Sequence, residues 1–277
     1  MTLRKALFPL GLLLAALLSG AFLLLPLIAI FTRVPLGTLV DQLGNSVVTD
    51  ALVVSIKTTL LAQAAILLLG TPTAYLLATR RFPGRALAIT LVELPLVLPP
   101  AVAGIGLLAA FGRVGLLGST LQTFGIEIPF TQTAVVMAVA FVASPLYVRQ
   151  AIAGFETVDQ SLVDASRTLG AGPARTFARV ALPLASGSLA AGAALAFARG
   201  LGEFGATIMF AGSFQGVTQT LPLAIYAEFE STFQVALAIG GLLVVISALL
   251  LVALKIRIGW TSSRSTSPFL FARTRSS

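Results

Sequence analysis

The sequence predicts an all-α integral membrane protein with six transmembrane helices and both termini cytoplasmic. Three observations predict it. Of 277 residues, 57% are hydrophobic and 10% charged, with a mean hydropathy of +0.99, whereas a soluble domain carries about 25% charged residues. Apolar runs near the length of a membrane crossing recur along the chain. The basic residues cluster in alternate connections between those runs. With no Cys and no His, the chain holds no disulfide framework, no thiolate or imidazole metal site, and no histidine base or cysteine nucleophile. The net charge of +8 is topological, so nucleic acid is not an expected partner.

A helix needs about 20 apolar residues to cross the hydrocarbon core. The first span runs from Leu7 to Phe31 behind Arg4 and Lys5. Its apolar run exceeds the roughly 7–15 residues of a signal-peptide core. It therefore reads as a retained helix, although LLSGA at 17–21 has the small residues of a cleavage site. The next spans fall at about 51–78, 86–111, 131–147, 181–201 and 235–254. With the N-terminus inside, the inner segments collect fourteen of the eighteen basic residues, at 4–5, 80–85, 149–179 and 255–275. The positive-inside rule then places both termini in the cytoplasm. Residues 1–260 form one transmembrane domain, and the Ser-, Thr- and Arg-rich residues 261–277 read as a flexible cytoplasmic tail.

Between spans four and five lies a long inner connection, residues 148–180, with the marks of an ordered helix. Ser161 and Asp164 fit a capping box, Gly170 suits a left-handed helix stop, and Pro173 suits the first turn of a second helix. Leu162, Val163 and Leu169 give the intervening helix an apolar side, and Ala165 and Ser166 allow another backbone close. A basic loop lying on lipid headgroups is the plainer alternative.

This connection resembles the cytoplasmic signature of binding-protein-dependent ABC importer permeases: Glu-Ala-Ala, three residues, Gly, nine residues, Ile, one residue, Leu-Pro. Asp164, Ala165, Ser166, Gly170, Val180, Leu182 and Pro183 keep every spacing. Asp, Ser and Val replace Glu, Ala and Ile. The resemblance implies that residues 162–170 carry a coupling helix that docks into a cytoplasmic ATPase subunit. The chain has no GxxxxGK[ST] loop of its own. It is thus expected to be no enzyme and to hold no cofactor, the partner ATPase binding ATP and Mg.

One further stretch, ARGLGEFGAT at 198–207, places two charges in an apolar run. As one helix, 181–212 would be about 48 Å long, against a core of roughly 30 Å. Gly200, Gly202 and Gly205 mark where it should break, beside protein or a water-filled path. Upstream, Gly187 with Ala191 and Gly192 with Ala196 favour close helix packing. Arg199 and Glu203, four apart, either neutralise each other or leave Arg199 to draw an anion along a pathway. Glu93 in VELPLVLPP is a second possible counter-charge.

Residues 197–226, 93–104 and 144–151 are similar to molybdate and tungstate importer permeases, within a resemblance spanning about 45–260. Sulfate or thiosulfate permeases share the Gly-Glu-aromatic-Gly core. The resemblance implies a permease homodimer in a bacterial or archaeal cytoplasmic membrane, two ATPase subunits, and an extracytoplasmic oxyanion-binding protein meeting the loops near 33–50, 112–130 and 213–232. An ATP-independent secondary anion transporter is the rival class. A membrane protease is excluded in practice, since Asp41, Asp50, Asp159 and Asp164 all lie in or beside expected loops.

Overall fold

The computed structural model describes residues 2–42 and 44–262, all of them helix or connection and none of them strand. The tail expected to be flexible lies outside the described residues from 263 onward. The described residues fold as two compact units, those up to 55 with 213–246, and 56–212 with those from 247 on.

The first unit holds α1 (Thr2–Arg33), α2 (Leu36–Gln42), the opening turns of α3 (Ser46–Thr79), α12 (Leu221–Ser231) and the first part of α13 (Phe233–Ser262). Its core is Val48 and Ala51 of α3, Leu221 and Ala224 of α12, and Val235 and Ile239 of α13. The Ser55 hydroxyl accepts the Leu221 amide at 2.7 Å and so satisfies a donor at the start of α12. No residue in the most apolar part of α1, within Pro9–Arg33, is buried inside the chain.

In the second unit α4 (Arg85–Val97), α5 (Pro100–Phe111), the short α6 (Gly118–Thr123), α7 (Gln132–Glu156), α8 (Gln160–Thr168), α9 (Pro173–Thr176), α10 (Leu182–Leu201) and α11 (Gly205–Ala211) follow one another. A π turn over Phe177–Ala181 joins α9 to α10. The hub is α7, whose Ala134, Val135, Ala138, Val142, Tyr147 and Ile152 are buried. Small residues let α10 close on it. A Cβ added at Gly192 would stand 2.9 Å from the Gln150 Cβ, and one at Gly200 2.8 Å from Val139 Cγ1. Gly187, expected at the same seam, faces open space.

Three helices long and apolar enough to cross a membrane agree with expected spans in place though not in length: Pro9–Arg33, Ser46–Thr79 and Gln132–Glu156. A fourth, Pro173–Leu201, begins eight residues before the expected 181 because the π turn carries helix straight through. The expected single helix 86–111 is corrected. It is two helices bent by 114°. Leu98 and Pro99 each precede a proline and are extended, with ψ of 133°. Proline excludes the helical region from the residue before it, so VLPP cannot continue a helix. The span expected at 235–254 falls in α13, whose apolar stretch Phe233–Leu249 is shorter than each of the four helices of spanning length.

Candidate functional site

The connection after α7 is shorter than the sequence suggests, because α7 continues to Glu156 and carries Tyr147 to Gln150 within it. What remains is a tight turn into α8. The cap is Asp159, not Ser161 with Asp164: the Asp159 carboxylate accepts the Ser161 amide at 2.9 Å. That bond holds the Asp159 carboxyl below its ordinary range. Ser161, two residues further on, is already helical and supplies the donor. Asp164 instead accepts from Gln160 Nε2 at 3.0 Å.

The helix ends as expected. Gly170 adopts φ +81°, its amide donates to Arg167 O, and the Ala171 amide donates to Ser166 O. These two bonds make a Schellman motif and satisfy orphan carbonyls of the last turn. Pro173 then opens α9.

Only Val163 of α8 is buried. The Ser166 hydroxyl meets that of buried Thr176 at 3.1 Å, tying the helix to the turn behind it. Ala165 is exposed, with Leu162 and Leu169 at 48% and 88% exposure. An apolar surface is thus left outward on a helix fastened by its other side. Val180 lies in the π turn, and Leu182 and Pro183 begin α10.

A guanidinium that charge counting treats as topological braces this end of the unit. Arg85 Nε donates to Leu77 O at 2.6 Å, and its Nη2 reaches Glu156 Oε1 at 2.6 Å. It thereby joins the last turns of α3 and α7.

At the other candidate site the expected break is present. The helix α10 ends at Leu201, Gly202 and Glu203 turn away, and α11 starts at Gly205. Glu203 is buried, with its side chain 1% exposed. One oxygen accepts the Ala206 amide at 2.8 Å and so caps α11. The other stands 2.7 Å from Arg199 Nη1, an ion pair too bent for a hydrogen bond. The Arg199 side chain is 34% exposed. Glu93 is not its counter-charge, since Glu93 lies 3.6 Å from Arg149 Nε.

Close packing surrounds the break. A Cβ at Gly205 would meet Pro100 Cβ at 2.7 Å, and one at Gly104 would meet Ala206 O at 2.6 Å. Two polar side chains escaped the sequence reading. Both amide atoms of Gln63 and the hydroxyl of Thr207 are buried without a hydrogen-bond partner. An isolated polar residue in LLAQAAILLL was the available signal for Gln63. Lys57, a lone charge within an expected span, donates to Gln132 Oε1 at 2.7 Å.

Comparison with known proteins gives the family. Residues 66–258 match the family model "Binding-protein-dependent transport system inner membrane component". The chain is 42% identical over 246 residues to the molybdenum transport system permease protein ModB of Mycobacterium tuberculosis, covering 88% of this chain and 92% of that one. It is 37% identical over 258 residues to the probable transport system permease protein NifC of Clostridium pasteurianum, covering 92% and 90%. Identity to the sulfate transport system permease protein CysW of Synechococcus elongatus is lower, 32% over 247 residues, covering 86% of each. Among solved structures, a bacterial alginate ABC transporter with its alginate-bound periplasmic protein superimposes with a TM-score of 0.67 at 16% identity. That match covers 94% of this chain and 96% of the other, and it shows a shared fold.

Proposed function

Because the chain belongs to the binding-protein-dependent transport system inner membrane component family, we propose that it moves molybdate or tungstate inward as the permease of an ATP-driven importer. It is a permease subunit and not an enzyme. The observation that carries the cargo is the 42% identity to a molybdenum permease over 88% of the chain. The lower identity to a sulfate permease makes sulfate the second cargo to test.

In this reading residues 1–260 form one domain of six spans with both termini in the cytoplasm, in a bacterial or archaeal cytoplasmic membrane. Support comes from the charge asymmetry, from four apolar helices of spanning length, and from the bent α4–α5 pair. Two copies pair around the path. The uncovered apolar surface of α1 is consistent with such pairing and equally with lipid. Asp164, Ala165, Ser166 and Gly170 present α8 to an ATPase subunit, which binds ATP and Mg. Val180, Leu182 and Pro183 connect that helix to α10. ATP-driven approach of the two ATPases displaces α8, and the π turn passes the displacement to α10. The binding protein delivers its oxyanion at the loops near 33–50, 112–130 and 213–232.

Along the path the reading assigns Arg199, Glu203, Gly200, Gly202, Gly205 and Glu93 to the gate region in different capacities. Glu203 caps α11 and neutralises Arg199, Gly200 and Gly205 allow close packing, Gly202 lies in the turn, and Glu93 pairs with Arg149. The part of Arg199 left exposed is what an anion would meet.

The test is ATPase activity of the chain with its ATPase subunit in lipid, with binding protein loaded with molybdate, tungstate or sulfate. Stimulation by the molybdate or tungstate form alone supports the reading. Stimulation by sulfate alone reassigns the cargo. Uptake into vesicles with no ATPase present would return the chain to the secondary-transporter class.

A further inference from the structure

A small cavity of about 180 Å³ opens beside α8, walled by the end of α3, the end of α7, α8 itself and the π turn. Tyr75 and Thr79 line it from α3, Arg80 from just past the end of α3, and Gln160 and Arg167 from α8. We propose that this cavity is an anion site for a tetrahedral phosphate-class oxyanion, held between Arg80 and Arg167, that ties α8 to the end of α3. The proposal rests on the reading of α8 as the coupling helix for its consequence, though not for its chemistry.

Size decides the class of ligand. Drug-sized molecules occupy about 300–1,000 Å³, and a water's share of the liquid is about 30 Å³. The cavity is thus suited to an ion of a few heavy atoms with little water. Charge decides its sign. Two arginines from separate segments line one small space, and among the described residues Arg80 has no ion pair. Of the nearby carboxylates, Glu156 is engaged by Arg85 at 2.6 Å and Asp159 by the Ser161 amide at 2.9 Å, while Asp164, on α8 itself, accepts from Gln160 at 3.0 Å. Asp164 approaches Arg167 only to 3.8 Å, too far to saturate it. Two like charges lining one space repel until an anion sits between them, and arginine forks match phosphate oxygens.

The site would respond to whatever anion fills it. A bound oxyanion restrains α8, the element the proposed ATPase must move. The anion is either free in solution or the headgroup of an acidic lipid, since Arg80 lies just past the end of a spanning helix.

Hydrogen exchange of the full chain in phosphatidylcholine nanodiscs reads the site without an ATPase subunit, so failure of the coupling reading and failure of this one remain distinguishable. Inorganic phosphate is titrated against sodium chloride at matched ionic strength, which screens without occupying the site. Amides of residues 160–171 are expected to exchange about tenfold slower at roughly ten times half-saturation. Arg80→Gln abolishes that protection while exchange in α7 is unchanged, and Arg199→Gln retains it, which separates this cavity from the translocation path. Protection by phosphatidic acid in the disc, with none from free phosphate, assigns the site to a lipid headgroup. No protection from either source, or equal protection in Arg80→Gln, overturns the proposal.

Discussion

The α8 connection and the break between α10 and α11 are both interruptions of helix, and they are secured in opposite ways. The α8 helix stands out from the unit and is held by local backbone chemistry: a carboxylate cap, a Schellman stop and one buried valine. The break lies inside, held by a buried carboxylate that serves two partners and by glycines pressed against neighbouring chain. Motion is therefore cheap at the first and costly at the second. Changing α8 disturbs a few exposed bonds, whereas changing the break disturbs a desolvated charge and close packing together.

The severest test of this contrast is at Arg199. Arg199→Leu leaves Glu203 buried with its charge uncompensated, a loss below the about 3–5 kcal/mol of a fully buried pair because water screens the third of Arg199 that is exposed. A fall in melting temperature in detergent, several times that of any α8 variant, is the expected result. Adding Glu203→Gln should restore most of that stability, because the amide oxygen can still cap Ala206. If the double variant is stable yet imports nothing, Arg199 acts on the anion. If it imports normally, the pair is structural.

Next in size is Gly104→Ala. Its Cβ would lie 2.6 Å from the Ala206 carbonyl oxygen, a backbone atom that cannot step aside cheaply. Overpacking of this kind costs about 1–3 kcal/mol. Thermal unfolding checks it, and a variant as stable as the parent would show that α11 shifts freely on α5.

How much of this was legible follows from the same contrast. Local signals for α8 are compact in sequence, so Gly170 and Pro173 could be placed from their neighbours alone. Even there the cap went to Asp159, since Asp and Ser compete as N-caps within two residues and only the backbone turn decides between them. VLPP carried the bend at Leu98 in plain chemistry, but composition over a whole span outweighed it. At the break, glycine clustering announced an interruption and the four-residue spacing announced the pair. That Glu203 also caps α11, that Glu93 belongs to Arg149, and that Arg85 reaches Glu156 are facts of tertiary approach between distant segments. No periodicity encodes them.

A smaller effect is expected at Gly170→Ala, where nothing lies within 4 Å of the added Cβ and only the positive φ is strained. The left-handed backbone costs an alanine about 1–2 kcal/mol, confined to the end of α8. ATP hydrolysis stimulated by loaded binding protein should fall while the melting temperature of the chain hardly moves. Gly170→Asn, which tolerates this conformation, should recover it. If alanine and asparagine behave alike, the Schellman stop is not what positions the helix.

The smallest effect should come from pH at Asp159, and its sign is fixed by the cap. The folded carboxyl lies below its ordinary value of 3.8 because the Ser161 amide hydrogen-bonds the charged form. Its contribution is therefore fully present above the unfolded value and disappears as pH falls through the folded one. Protection of α8 amides, corrected for intrinsic exchange, should weaken on acidification below about pH 4, while that of buried α7 stays level. Asp159→Asn keeps an acceptor oxygen without a titrating proton, and so should flatten the profile at slightly lower protection. A profile still falling in Asp159→Asn would show that the cap is not the acid-sensitive contact.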